Sequence, residues 1–268
     1  MLLSKSCMKE HNIKKGTLKI GTLNEYRVTE CQQVADRHEG VLTFNIKFEG
    51  EVKIPHKFFS ILFSNVFTLK TSDQNLPQKK FLGAFHANVK RFELIEVGVD
   101  HVLIRDSEVI LTRESPNNYI FCMSNVRKMR DCIDIFPDYN DYWYMTTSKA
   151  HAFSLKLGKI IENKIKQEVN ADNMDFPASL NVNNLTALAR HGKVLYTPRE
   201  IHIYDGSPTS IDSFMQKMTD MAFIKPPHPF EAEKEYRFHY TLICDNMILE
   251  PTKNSLIVQS HELLDLIL

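Results

Sequence analysis

The sequence predicts an α+β protein in which much of the β-structure is antiparallel. Most of the first half consists of short β-rich runs, such as "GVLTFNIKFEGEVKI" and "SEVILTR", which polar segments separate. Two amphipathic helical patterns lie in the second half, and short apolar runs follow them. Strands and helices that occupy separate stretches of a chain are typical of the α+β class.

The helical patterns are defined by the spacing of their apolar residues. "LGKIIENKIKQEV" has apolar residues at helical spacing, with Lys and Glu residues between them: Leu157, Ile160, Ile161, Ile165 and Val169. "SPTSIDSFMQKMTDMAF" predicts a second helix, which Ser210 or Thr209 can cap, and its methionines are predicted to fill the core. "AHAFSLK", just before the first helix, is predicted as a strand.

A late segment, "FEAEKEYRFHY" at residues 230–240, carries ionisable residues at every second position. Side chains alternate between the two faces of an extended chain. The predicted apolar face comprises Tyr236, Phe238, Tyr240 and Leu242. The predicted ionisable face comprises Glu233, Glu235, Arg237 and His239. This pattern has two interpretations: a solvated outer face with weak ion pairs, or carboxylates that line a cleft and are tuned for catalysis.

Composition restricts the function classes. The 268 residues are compatible with one elaborated domain or two, and we predict a single domain over residues 1–268. Lys and Arg together number 33, as do Asp and Glu, so no net charge attracts the protein to nucleic acid or to membranes. No stretch resembles a signal-peptide core or a membrane span, which predicts a cytoplasmic protein without membrane association.

Known sequence motifs exclude further classes. The five scattered cysteines contain no CxxC pair, and no histidine pair has HExxH spacing, so we predict reduced thiols and no metal site. The sequence has no P-loop, GxGxxG or GxSxG motif, which excludes a standard ATPase or serine hydrolase.

Four short motifs resemble a bacterial family known mainly as a domain of unknown function. They are "LKIGTLNEYR" with the following "ADRHEG", "YIFCMSN", "DYWYM" and "FIKPPHPFEAEKEYRF", and together they extend over most of the chain. The layout is similar to that of ADP-ribosyltransferases, whose split sheet binds NAD between a polar first strand, a central strand with Ser or Tyr, and a late strand with the catalytic Glu. The resemblance therefore implies a split, largely antiparallel sheet with flanking helices, and NAD as co-substrate.

The resemblance also implies roles for particular residues. Cleavage of the nicotinamide–ribose bond builds positive charge on the sugar, which a nearby carboxylate stabilises. Glu235 is the first choice for this carboxylate, and Glu233 for a helper that orients or deprotonates the acceptor. Glu231 and Glu233 could take these roles instead.

Candidate NAD-binding residues lie in the other motifs. Arg27 is the candidate for the pyrophosphate, with Tyr26 available to stack on a ring. Ser124 supplies a hydroxyl at the end of the central strand, and Tyr144, beside Trp143, is the candidate aromatic wall for nicotinamide. Each of these also has an ordinary structural interpretation, as a surface Arg, a strand-end Ser or core aromatic residues.

The sequence thus favours a transferase that moves ADP-ribose from NAD to a macromolecule, with RNA and DNA as candidate acceptors. Some members of the resembled superfamily are toxins or antiviral effectors, which implies an antitoxin or inhibitor protein as a further partner. Two alternatives stay open: a non-catalytic binding or assembly module, and a metal-dependent nuclease that uses Glu233, Lys234 and Glu235. Arg127, Lys128 and Arg130 are a basic cluster that could hold a phosphate or lie on a solvated face.

Overall fold

A computed structural model describes residues 1–28, 38–69 and 83–268. The predicted exposed loop "TSDQNLPQKK", Cys31 and the first half of "ADRHEG" lie outside these residues. Within the described ranges the chain forms these strands: β1 Leu2–Cys7, β2 Thr17–Thr22, β3 Val41–Pro55, β4 Phe85–Val97, β5 His101–Glu114, β6 Tyr119–Val126, β7 Asp141–Thr146, β8 Thr186–Lys193, β9 Leu195–Tyr196, β10 Glu200–Ile203, β11 Ile224–Lys225, β12 Glu235–Cys244, β13 Met247–Leu249 and β14 Ser255–Gln259.

The helices of the same ranges are few. The α-helices are α1 Leu23–Val28, α2 His56–Leu62, α3 Ala150–Asn170 and α4 Ile211–Lys217. Short 3₁₀ helices lie at Lys9–His11, Ile13–Lys15, Met129–Cys132, Thr147–Lys149, Val182–Asn184, Met221–Phe223, Phe230–Glu233 and His261–Leu266. The prediction of an α+β protein with mostly antiparallel sheets is confirmed.

The described residues divide into two compact units that are interleaved along the sequence. The first unit comprises Met1–Glu39, Asn117–Tyr196 and Pro227–Leu268, and the second comprises Gly40–Pro116 and Thr197–Pro226. The single domain expected over residues 1–268 stays a prediction.

The first unit is built on an antiparallel sheet with β12 near its centre. β12 pairs with β8 along one edge, and with β6 and then β13 along the other. The opposite edge of β6 is shared: its start pairs with β2, and its end pairs with β1, which in turn pairs with β7. β1 and β2 therefore pair with opposite ends of the same edge of β6.

One face of this sheet is covered by α3, because the helix presents an apolar stripe at the spacing that the sequence predicts. Leu157, Ile161 and Ile165 are buried in a core with Trp143 and Phe238. The prediction for "AHAFSLK" is wrong: α3 begins at Ala150, and Phe153 continues the same buried stripe. Its alternating pattern is too short to distinguish a strand from the first two turns of an amphipathic helix.

The second unit has a separate, phenylalanine-rich core. Its four-stranded sheet has the order β10-β3-β5-β4, and the β10–β3 pair is parallel while the others are antiparallel. α4 contributes buried Phe214 and Met215, and Met218 and Met221 follow it into the same core, so the predicted core role of these methionines is confirmed. Ser210 is the N-cap, since its side chain accepts a hydrogen bond from the Ser213 amide.

Two leucines on α3 permit a matched test of this packing. Leu157 is fully buried, whereas Leu155 is 55% exposed on the same helix. We expect Leu157→Ala to lower the free energy of unfolding by about 2–5 kcal/mol, because it leaves a cavity in the core. Leu155→Ala should change it by less than about 1 kcal/mol. Urea unfolding followed by the fluorescence of Trp143, the single tryptophan, measures both; equal losses would contradict the placement of α3.

Candidate active site

The ionisable strand is β12, and both of its faces are buried. Tyr236, Phe238, Tyr240 and Leu242 enter the core beneath α3, as the alternation predicts. On the other face, Glu235 is 5% exposed, Arg237 0% and His239 1%. The interpretation of this face as a solvated surface is therefore wrong, and its charges need buried partners.

The predicted strand begins too early. Glu233 lies in the 3₁₀ helix Phe230–Glu233, and Lys234 follows with a left-handed backbone at φ 49°. That turn interrupts the alternation, so Glu231 and Glu233 do not share the face of Glu235. The cause is local: the preceding prolines and the left-handed residue prevent an extended backbone until Glu235. Of the three glutamates, Glu235 alone lies on the strand.

Arg237 is held between two carboxylates. Its Nε donates to Glu235 Oε1 at 2.5 Å and its Nη2 to Glu235 Oε2 at 3.2 Å. On the other side, Nη1 and Nη2 donate to the two oxygens of Glu39 at 2.7 and 2.8 Å. Burial opposes the charge of Arg237, but the carboxylates of Glu235 and Glu39 outweigh it and hold its pKa well above the ordinary value. We call these three residues the buried ion triad.

Arg27 connects helix α1 to the same triad. Its Nε donates to the backbone carbonyl of Glu39 at 2.6 Å. Tyr26 lies in the same electrostatic environment. Its pKa is raised well above 10, chiefly by burial and then by the thiol of Cys122 and the carboxylate of Glu235. Both residues therefore lie beside the triad, and neither role predicted for them in NAD binding is tested by this placement.

Lys5 contributes a second cation near the triad. Its ammonium donates to the carbonyl of Cys122 at 3.0 Å and stands 4.9 Å from the centre of the Phe121 ring. Burial lowers the pKa of Lys5, and neighbouring groups, including Glu235, offset only part of that effect. Lys5 is therefore a weaker counter-ion for Glu235 than Arg237 is.

Ser124 and Tyr144 are aligned with Glu235 across the sheet. Glu235 is opposite Ser124, Ser124 is opposite Ser4, and Ser4 is opposite Tyr144. Opposed residues point to the same side of a sheet, so the four side chains share one face. The hydroxyl of Tyr144 lies 3.2 Å from Cys132 Sγ. Trp143 points to the other face and is buried in the core, as its ordinary structural interpretation predicts.

A cavity of about 410 Å³ opens at the start of β12. Its lining comprises Met1, Asn125, Arg127, Asp131, Lys193, Val194, Tyr196, Lys234 and Glu235. Of the predicted site residues, Glu235 is in this lining, whereas Arg27, Tyr26, Ser124, Tyr144 and Glu233 are not among its described residues. Glu235 thus joins the cavity to the buried ion triad.

The cavity contains more cations than carboxylates. Arg127, Lys193 and Lys234 line it together with Asp131 and Glu235. Asp131 is already used locally: its carboxylate accepts hydrogen bonds from the amides of Arg127 and Lys128 at 3.1 and 3.0 Å. The hydrogen bond from the Lys128 amide has the larger effect, and together with the bond from the Arg127 amide it lowers the pKa of Asp131 and keeps the carboxylate ionised.

The structure identifies two residues that the sequence interpretation did not assign to the site. Glu39 completes the buried ion triad, whereas the sequence indicates it only as part of the motif "ADRHEG". Tyr196 lines the cavity, and its phenolic oxygen accepts a hydrogen bond from the Glu235 amide at 2.9 Å. Its position in "VLYTP", a two-residue strand before a proline, carries no motif that would have indicated this contact.

Comparisons with protein-family profiles, with curated proteins and with solved structures return no match for this chain. None of the helices within the described ranges is long and apolar enough to cross a membrane. The described cysteines, Cys7, Cys122, Cys132 and Cys244, are free thiols, as predicted.

Removal of the guanidinium tests the energetic role of the triad. We expect Arg237→Met to lower the free energy of unfolding by about 3–5 kcal/mol at pH 7, because Glu39 and Glu235 are left buried without their cation. The control is Arg130→Met, at an exposed position, which should change it by less than about 0.5 kcal/mol. Trp143 fluorescence in urea measures both variants, and a loss below 1 kcal/mol for Arg237→Met would contradict a buried triad.

His239 predicts a pH dependence of stability. Burial, with smaller contributions from Arg190 and Arg237, lowers its pKa to about 3, so the folded protein keeps it neutral. The unfolded chain binds the proton near pH 6.5, so stability is lost as the pH falls from 6.5 toward 3. At pH 5 this loss should be about 2 kcal/mol relative to pH 7. Urea unfolding at pH 5 and pH 7 measures this difference in the free energy of unfolding, and His239→Gln should abolish it. An unchanged difference in the variant would show that other groups cause the pH dependence.

Proposed function

We propose that the first unit is an ADP-ribosyltransferase domain that binds NAD in the cavity at the start of β12. In the proposed reaction the bond between nicotinamide and C1′ of the ribose breaks, and its electron pair leaves with nicotinamide. A nucleophilic oxygen or nitrogen of the acceptor forms the new bond to C1′ and loses its proton.

The position of Glu235 is the observation that carries this proposal. Glu235 lines the cavity, and its carboxylate belongs to a triad of two carboxylates and one guanidinium. Because Glu235 is shared between Arg237 and the cavity, we infer that its carboxylate stabilises a positive charge that develops on a bound substrate. The sugar of NAD develops such a charge as nicotinamide leaves.

The double contact with Arg237 fixes the orientation of Glu235. A carboxylate that is held in place before the reaction needs no reorganisation as charge develops, which is how electrostatic stabilisation lowers a barrier. Glu39 is the positioning residue in this arrangement, since its two oxygens hold the far side of the guanidinium.

The cations of the cavity match the other charge of the substrate. Arg127, Lys193 and Lys234 can hold the pyrophosphate of NAD by charge-assisted hydrogen bonds, a role that the sequence had assigned to Arg27. Tyr196 offers an aromatic ring to nicotinamide or adenine, a role that the sequence had assigned to Tyr26 and Tyr144. The hydrogen bond from the Glu235 amide to the Tyr196 hydroxyl supports this role, since it brings Tyr196 to the backbone of Glu235.

The nuclease alternative loses its geometric basis. It requires Glu233, Lys234 and Glu235 to act together, whereas Glu233 lies in the preceding turn and not in the cavity lining. We propose that the acceptor of the ADP-ribose group is a cytoplasmic macromolecule, with RNA and DNA as the first candidates. An effector role in toxicity or antiviral defence, silenced by an antitoxin protein, is part of the same proposal.

Release of nicotinamide from labelled NAD, with and without cell extract, tests the reaction. We expect Glu235→Gln to lower the rate by about 10²–10³, the usual effect of losing one electrostatic stabiliser of a transition state. Trp143 fluorescence monitors folding in each variant. If Glu235→Gln is destabilised, the double variant Arg127→Ala/Lys193→Ala decides: both side chains are exposed, and KM for NAD should rise about tenfold or more.

The control for the cavity variants is Arg130→Ala, which removes an exposed cation of the same loop that is not in the lining. It should leave KM unchanged within about twofold. An NAD-dependent rise in the melting temperature without any nicotinamide release would identify a binding module instead. If the wild-type protein shows neither nicotinamide release nor an NAD-dependent rise in melting temperature, the proposal is eliminated.

A further inference from the structure

A histidine pair lies outside the cavity, where helix α3 packs against strand β8. His151 is the second residue of α3, and His191 lies on β8 near its end. The Nδ1 atom of His151 and the Nε2 atom of His191 are 3.4 Å apart. Both histidines belong to the first unit.

A tyrosine holds the second of these rings in place. The hydroxyl of Tyr236, on the adjacent strand β12, lies 2.7 Å from His191 Nδ1. When Nδ1–H donates to this oxygen, the lone pair of Nε2 faces His151. A partner on the second ring nitrogen is the usual arrangement for a histidine that binds a metal, since it sets both the tautomer and the ring orientation.

The separation of the two nitrogens suits shared ligation. It is longer than the ~2.7–3.2 Å of an ordinary hydrogen bond from a ring nitrogen. Two imidazole nitrogens at about 2.0–2.1 Å from a tetrahedral metal ion are themselves about 3.4 Å apart.

We propose that His151 and His191 bind a divalent transition-metal ion that prefers imidazole and accepts tetrahedral coordination, with Zn²⁺ as the first candidate. The described residues contain no group of three or more His, Cys, Asp or Glu side chains placed to hold a metal. Water therefore completes the coordination, and the site is an open one. This inference does not depend on the proposed transferase activity.

The ion would link helix α3 to a strand whose end lines the cavity. It ties the first turn of α3 to β8, and β8 pairs with β12 directly after Glu235. Val194, which follows β8, donates its amide to the Glu235 carbonyl at 2.9 Å and also lines the cavity. Bound metal would thus stiffen one wall of the proposed substrate site.

Titration with Co²⁺, a paramagnetic ion that accepts tetrahedral coordination, tests the site, with Trp143 as the reporter. A chain of ring contacts leads from His191 through Phe238 and Phe153 to Trp143, with successive centroids 6.0, 5.1 and 6.0 Å apart. A paramagnetic ion at the pair should therefore quench the single tryptophan. We expect saturable quenching at one equivalent in the wild-type chain, and a dissociation constant about tenfold or more higher in His151→Ala and in His191→Gln.

The matched control is His261→Ala, because His261 is 69% exposed in the 3₁₀ helix His261–Leu266. Its affinity should stay within about twofold of wild type. Linear quenching without saturation, or equal affinity in His151→Ala and wild type, would overturn the site, as would an equal loss in the control. If His191→Gln fails to fold, His151→Ala decides, since His151 is exposed and in the first turn of the helix.

Discussion

The need to neutralise one buried guanidinium organises the first unit. Arg237 lies in the central strand of the sheet with no exposure to solvent, and an unpaired charge there would cost several kcal/mol. One partner, Glu235, lies two residues away on the same strand, and the other, Glu39, comes from a distant segment just before the second unit begins. The triad therefore specifies how these segments meet as well as contributing to stability.

The triad also links a structural role to a chemical one. Glu235 belongs both to the buried network and to the wall of the cavity, so the packing that satisfies Arg237 also sets the direction of a carboxylate at the site. Two of the three cations of the cavity lie on other segments, Arg127 after β6 and Lys193 at the end of β8, and the third, Lys234, directly precedes Glu235. The negative end of the triad and this positive lining are thus brought together where strands end, as in many sites carried by a rigid sheet.

The histidine pair shows the same dependence on neighbouring strands. His191 and Tyr236 lie on adjacent strands, and their hydrogen bond orients a ring toward helix α3. The face of β12 that enters the core therefore has a polar margin at Tyr236. Since both faces of β12 are covered, its residues are buried over almost its whole length.

The sequence by itself determined the class of the fold and the alternation within the late strand. Periodicity correctly placed Leu157, Ile161 and Ile165 on one helical face and Tyr236, Phe238 and Tyr240 on one strand face, because these patterns depend on local geometry. It also selected Glu235 and Arg237 as neighbours on the opposite face. It placed the start of that strand too early, since the left-handed turn at Lys234 leaves no periodic signal.

Only the tertiary structure decided whether the ionisable face is wet or buried. An alternating pattern is the same for a strand exposed to water and for one covered by charged partners, and the partner here, Glu39, is 198 residues from Arg237. The lining of the cavity is equally non-local, because it joins the ends of β6, β8 and β12 with the start of the chain. Contacts between such distant residues depend on how the strands pair, which no short window of sequence contains.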